Sequence, residues 1–199
     1  MSELLTSFQI GNVTLPNRVL MSPLTRMRAF EARAVGDLQV EHYRQRASAG
    51  LIFTEATSVS AMGVGYPNTP GIWTEAQVAG WKRVTDAVHA AGGHMAVQLW
   101  HVGRISDPEL LDGQLPVAPS AIAPEGHVSV LRPKRDYTVP RALETHEVAG
   151  IVQDFVQAAR HAKTAGFDFI EVHAANGYLF DQFLHDGSNQ PTSAVGYLH

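Results

Sequence analysis

A chain of 199 residues, 45% hydrophobic and 17% charged, has the make-up of one folded domain and not of a disordered segment. Its formal net charge of −4 and the lack of any Lys/Arg block argue against nucleic acid as a partner. With no Cys, disulfides, Cys-ligated zinc, iron–sulfur ligation and thiol nucleophiles are excluded, and no metal is expected. Met1 to Ile10 lacks a basic region followed by an apolar run, and no stretch approaches the ~18 apolar residues of a membrane span. A cytoplasmic protein with no membrane partner is the expectation.

The first elements are short. Phe8-Gln9-Ile10 and Val13-Thr14-Leu15 flank Gly11-Asn12, which predicts a β-hairpin. Val19-Leu20-Met21 is a candidate first strand, ended by Ser22-Pro23. Leu38 to Ala49 reads as a helix ending at Gly50, and Leu51 to Ala56 as a strand. Thr74 opens a second helix, and Gln77 stands at capping-box spacing from it. That helix closes at Gly92-Gly93, before a third strand, Met95 to Leu99. A third helix runs from near Thr145 to Ala165-Gly166, and Phe167 to His173 is the fourth strand.

An Ala-rich helix end, a Gly and a short buried strand recur at 47–51, 90–93 and 164–167. Alternating strands and helices imply a parallel sheet. No G-x-G-x-x-G is present, which favours a barrel over a dinucleotide-binding sheet. The fold class expected is therefore α/β: a partial (β/α)8 TIM barrel of four βα units with an N-terminal hairpin. A complete barrel typically takes ~250 residues. The Pro-rich and polar stretch from Ser106 to Glu144 breaks the rhythm and reads as an insertion after the third strand, with Val128-Ser129-Val130 as a candidate strand. In a barrel that face holds the active site, which the insertion is expected to cap.

Strand side chains alternate faces. His94, Ala96, Gln98 and Trp100 share one parity of the third strand; Phe169, Glu171 and His173 share one parity of the fourth. The aliphatic parities should face the helices. The polar ones should then point inward, where Gln98, Glu171 and His173 either meet a ligand or satisfy one another.

Several segments occur together in one order. They are Leu15-Pro16-Asn17-Arg18, Met21-Ser22-Pro23-Leu24-Thr25-Arg26, Gly65-Tyr66, Pro70-Gly71-Ile72-Trp73, Gln98-Leu99-Trp100-His101-Val102-Gly103-Arg104, Glu171-Val172-His173-Ala174-Ala175-Asn176-Gly177-Tyr178-Leu179 and Gln182-Phe183-Leu184. In this set and order the chain resembles the old yellow enzyme family, in its alkene and N-ethylmaleimide reductase branch. The resemblance implies FMN as cofactor and NAD(P)H as hydride donor. It implies a small electrophilic alkene as substrate: an α,β-unsaturated carbonyl, a maleimide or a nitro compound.

Roles follow from the same resemblance. Pro23, Leu24 and Thr25 would wrap the isoalloxazine edge, with the Thr25 hydroxyl on the flavin C4 carbonyl. Ala56 would meet the flavin through its backbone, and Gln98 would grip the pyrimidine ring. His173 and Asn176 would hydrogen-bond the substrate oxygen, which gains negative charge as hydride adds. Tyr178 would protonate the α carbon. Tyr66 and Trp100 would line the substrate pocket. Plainer readings stand beside these: a turn residue at Thr25, a structural His173, a packing tyrosine at Tyr178, and core aromatics at Tyr66 and Trp100.

After Ser188-Asn189 the family pattern continues with Arg-Thr-Asp and then Tyr-Gly-Gly-Ser, whereas this chain reads Gln190-Pro191-Thr192-Ser193 and ends at His199. The expected organisation is an N-terminal part of a flavin-reductase barrel over 1–189 and a divergent tail over 190–199, as a truncated or frameshifted gene would give. Barrels of this kind commonly hold phosphate on the loops after strands 7 and 8. No substitute cradle is legible here. Three readings result: a simple FMN-dependent ene-reductase; a dienoyl-CoA reductase or amine dehydrogenase relative; and a non-catalytic half barrel that is inert, or that assembles with itself or a full-length paralogue through open sheet edges. The set His173, Asn176 and Tyr178 favours the first over the second.

Overall fold

A computed structural model describes residues 3–190. Of the tail expected at 190–199, only Gln190 falls among the described residues. A 3-10 turn at Glu3–Leu5 leads into β1 (Phe8–Ile10) and β2 (Val13–Leu15), which pair antiparallel with Phe8 opposite Leu15. Gly11 turns the chain at φ +59°, a conformation that glycine adopts without strain. The hairpin forms where the Gly-Asn signal places it.

β3 (Leu20–Met21), β4 (Leu51–Phe53), β6 (Met95–Trp100) and β9 (Phe169–Val172) form a parallel ladder in the order β3-β4-β6-β9, and β5 (Thr57–Ser58) joins the same sheet. Helices α1 (Asp37–Arg44), α2 (Glu75–Ala90) and α3 (Thr145–Thr164) intervene. Gln98 stands opposite Glu171 in the β6–β9 register. Every residue of β6 is buried, as a central parallel strand requires.

Within the chain two compact units can be distinguished. The first comprises the described parts of Met1–Thr57, Asn68–Leu99 and Gln157–Val172. Its core joins the hairpin to the sheet: Leu15, Leu51 and Ala96 cluster, with Ile10, Val13, Phe53 and Phe169 packed on them. Ala96 and Phe169 belong to the parities that continue to Gln98 and Glu171. α2 starts as its sequence predicts: the Thr74 hydroxyl accepts from the Gln77 N–H at 3.3 Å, and the Gln77 amide oxygen accepts from the Thr74 N–H at 3.1 Å. Its buried side presents Val78, Trp81, Val84, Thr85 and Val88, the spacing of one helical face. The second unit comprises the described parts of Ser58–Pro67, Trp100–Val156 and His173–His199. It holds β7 (Val117–Ala118), β8 (Arg141–Ala142) and α4 (Leu179–Leu184). Val117, Leu143 and Leu179 form its apolar cluster, with Met62, Val148, Ile151 and Phe183 against them.

Several boundaries differ from the sequence reading. α1 stops at Arg44, not Ala49, because the following residues tighten into turns with Ala47 N–H bonded to Arg44 O and Ala49 N–H to Arg46 O. Those turns deliver Gly50 so close to Asn17 that a Cβ there would stand 2.1 Å from the Asn17 carbonyl oxygen. β4 ends at Phe53, not Ala56, since the Glu55 N–H is taken by the Tyr43 hydroxyl at 2.9 Å. Val128-Ser129-Val130 is not a strand: Val128 donates to Arg135 O across a turn, and the local pairing is a lone bridge between His127 and Asp136. β5, β7, β8 and α4 were not foreseen. The aliphatic parity of β9 is not covered as expected, for Ile170 is 48% and Val172 43% exposed. Among the described residues no helix is long and apolar enough to cross a membrane.

Candidate active site

In the first unit, Pro23, Leu24 and Thr25 lie on the extended stretch after β3, with Leu24 66% exposed and Pro23 and Thr25 half-buried. One carboxylate fixes this stretch. Glu55 is 1% exposed, and its Oε2 accepts the Arg26 N–H at 3.0 Å. Burial pushes the Glu55 carboxyl above its ordinary range, against the pull of the Arg26 N–H, the Arg26 charge and the Met27 N–H. Met27 is held at φ +55°, in the left-handed region. Glu55 therefore ties the turn beside Thr25 to the end of β4, next to buried Ala56. Nothing in the spacing of residues 25 and 55 signals this link.

Gln98 is buried on β6 and its Nε2 donates to Glu171 Oε1 at 2.5 Å. Its backbone N–H donates to the Thr54 hydroxyl. Two of the polar residues expected to face inward thus pair with each other. The pairing orients the Gln98 amide, because a carboxylate can only accept.

In the second unit the structure brings together Tyr66, Trp100, His173 and Tyr178. The Tyr66 and Tyr178 hydroxyls are 3.2 Å apart. Trp100 stacks on Tyr66 at 5.5 Å and lies near parallel to His173 at 6.4 Å. The Tyr178 ring meets both edge-on, at 4.9 Å from Trp100 and 4.8 Å from His173. The indole N–H of Trp100 donates to the Ser58 hydroxyl at 3.0 Å, which fixes the ring. Asn176 is exposed at φ +61° on the turn just before Tyr178.

Burial raises the Tyr178 phenol well above its usual range, reinforced by the Tyr66 hydroxyl and by the nearby Tyr137 phenol. Tyr178 is therefore a neutral O–H donor throughout the working pH range. Tyr137 comes from the inserted stretch and is itself shifted upward, by burial and by Tyr66. The insertion thus reaches the cluster, through a residue the sequence reading did not single out.

Two other imidazoles titrate low. His101 is buried after β6, accepts the Gly103 N–H at Nδ1, and burial lowers it to about 4. His42 falls to about 4 as well, through burial and then the Arg26 and Arg46 charges. In the unfolded chain both regain the ordinary value near ~6.5. The unfolded state takes up protons first as pH falls from ~6.5 towards 4, so stability declines through that window and is insensitive to these groups above it. Urea midpoints should fall steadily between pH 7 and 4.5, less steeply in His101→Asn. A flat midpoint across that interval would contradict both assignments.

Parallel strands alternating with helices make the chain part of an α/β barrel. It belongs to the NADH:flavin oxidoreductase / NADH oxidase family, whose sequence profile matches residues 3–196. A putative 12-oxophytodienoate reductase 4 of Oryza sativa subsp. japonica is 45% identical, over 97% of this chain and 50% of its own length. A structure of morphinone reductase in complex with tetrahydroNAD superposes with a TM-score of 0.90 at 53% identity, covering 96% of this chain and 55% of that one. The old yellow enzyme homologue from Zymomonas mobilis superposes with a TM-score of 0.92 at 44% identity, covering 98% and 55%. The chain spans about half the length of the curated relatives it matches. The family is one of FMN-dependent oxidoreductases with a nicotinamide hydride donor.

Proposed function

We propose that the chain carries the substrate-protonating half of an FMN-dependent ene-reductase that reduces activated alkenes at the expense of NAD(P)H. The observation that carries this reading is the half-buried Tyr178 phenol, packed edge-on against Trp100 and His173 and 3.2 Å from the Tyr66 hydroxyl. The donor set of the first unit fits an isoalloxazine ring: the Thr25 hydroxyl, the Gln98 amide held by Glu171 and the backbone beside Ala56 are partners for ring carbonyls and N–H groups. FMN, when bound, supplies the hydride taken from NAD(P)H. His173 and Asn176 stabilise the oxygen that gains charge as hydride reaches the β carbon. Tyr178 then gives its proton to the α carbon and regains one from solvent. Relatives named as reductases of 12-oxophytodienoate and of morphinone support an enone as the substrate class.

The test is NADPH oxidation by the FMN-supplemented chain with a cyclic enone. Oxidation that depends on the enone, with one saturated ketone formed per NADPH, is the expected result. Equal oxidation with and without enone would refute the ene-reductase reading. A second reading, self-association without catalysis, rests on the half-exposed Ile170 and Val172 of β9, which pairs only with β6 among the described strands. Gel filtration at micromolar concentration separates a monomer from that outcome.

A further inference from the structure

The Gln182 side chain is placed to do more than extend α4. It is 1% exposed, and both ends of its amide are used. Nε2 donates to the Val102 carbonyl at 3.0 Å and to the Gly177 carbonyl at 2.6 Å. Oε1 accepts the Arg104 N–H at 3.2 Å. Its backbone N–H donates to the Tyr178 carbonyl at 2.8 Å, and its own carbonyl accepts from the Ser188 hydroxyl at 2.8 Å. One buried amide thus connects the loop after β6 with the turn that carries Tyr178.

Neighbouring residues make room for this amide and repeat the connection. A Cβ on Gly103, which is at φ +59°, would stand 2.1 Å from Gln182 Oε1, so the loop approaches the amide as closely as a glycine allows. Asp181 Oδ2 accepts the Gly177 N–H at 2.7 Å, so both peptide groups of Gly177 are held by α4. The Leu179 N–H donates to His101 O at 3.0 Å, a second link between the same two loops.

We infer that Gln182 is a positioning residue that sets where the Tyr178 hydroxyl stands, by fixing the peptide just before it to the 102–104 loop. This rests on the reading of Tyr178 as the proton donor. A buried amide that bonds three backbone groups on two loops is worth more than a helix-face contact, because its loss leaves the Gly177 carbonyl and the Arg104 N–H unsatisfied and the Val102 carbonyl with only the Ile105 N–H.

The test uses Gln182→Glu, which keeps the acceptor for the Arg104 N–H and loses both donors. Amide hydrogen exchange of the full chain without flavin is the first readout. We expect Tyr178 and Leu179 to exchange about tenfold faster, with Arg104, whose acceptor is kept, and Met95 to Leu99 unchanged. In the FMN-loaded chain, enone turnover should fall about tenfold while turnover of a quinone holds, because a quinone is protonated on oxygen and needs no donor to carbon. Unchanged exchange at 178–179, or equal loss with both acceptors, would overturn the inference. Should the buried carboxylate prevent folding, Gln182→Met makes the comparison at 178–179 with a neutral side chain, and there Arg104 also exchanges faster because its acceptor is gone. Tyr178→Phe separates the two claims: if it spares enone turnover, the proton-donor reading fails, and the exchange pattern alone decides the role of Gln182.

Discussion

Replacing Tyr178 by Phe should lower enone turnover by roughly 10²–10⁴-fold, the usual contribution of a positioned general acid, and leave flavin reduction by NADPH unchanged. The two half-reactions differ in what they ask of the phenol. Hydride delivery to the flavin needs no proton from Tyr178, whereas saturation of the alkene ends with a proton on carbon. Burial and the Tyr66 hydroxyl hold Tyr178 neutral, so the proton is always present. The same upward shift makes the phenol a weaker acid, so it gives up its proton only after hydride transfer has created a strongly basic carbon. Phe keeps the edge contacts with Trp100 and His173, which confines the change to the hydroxyl. Stopped-flow measurement of each half-reaction checks this. A variant slowed equally in both halves would mean that Tyr178 only packs.

Trp81→Ala should cost about 3–5 kcal/mol of stability, the usual penalty for truncating a buried aromatic. Trp81 is fully buried on α2 and packs between Tyr43 at 6.1 Å and Phe167 at 5.5 Å. Its indole N–H donates to the Gly71 carbonyl at 3.1 Å, so truncation also strands a buried acceptor. Small domains are stable by only about 5–15 kcal/mol, so the loss takes a large share of the total. The urea midpoint measures it, with Trp81→Phe expected to recover most of the packing and none of the hydrogen bond. A cost below about 1 kcal/mol would show that the face of α2 can close over the gap.

What the sequence makes legible is what local chemistry specifies. The Gly11-Asn12 turn, the Thr74–Gln77 box and the apolar run of β6 each carry their signal within a few residues, and each forms as read. β7 and β8 do not, being two residues each and pairing partners 24 positions apart within the insertion. α4 is six residues long, too short to show a helical period, and tertiary bonds through Gln182 hold it. Val128 and Val130 alternate as strand residues do, yet Val128 is buried through a turn. The same limit applies to the site. Tyr66, Trp100, His173 and Tyr178 were singled out by their motifs and meet in one cluster. Tyr137, Glu55 and Gln182 carry no local signal of a role, because their effect comes from contacts with residues 29 to 80 positions away.

The most direct test of the flavin assignment is an FMN titration of the purified chain, followed by flavin fluorescence. We expect saturable one-to-one binding that quenches the flavin and weakens in Thr25→Ala and Gln98→Ala. Free flavin at every ratio, with a folded chain, would contradict the claim that Thr25, Gln98 and the backbone beside Ala56 hold the cofactor.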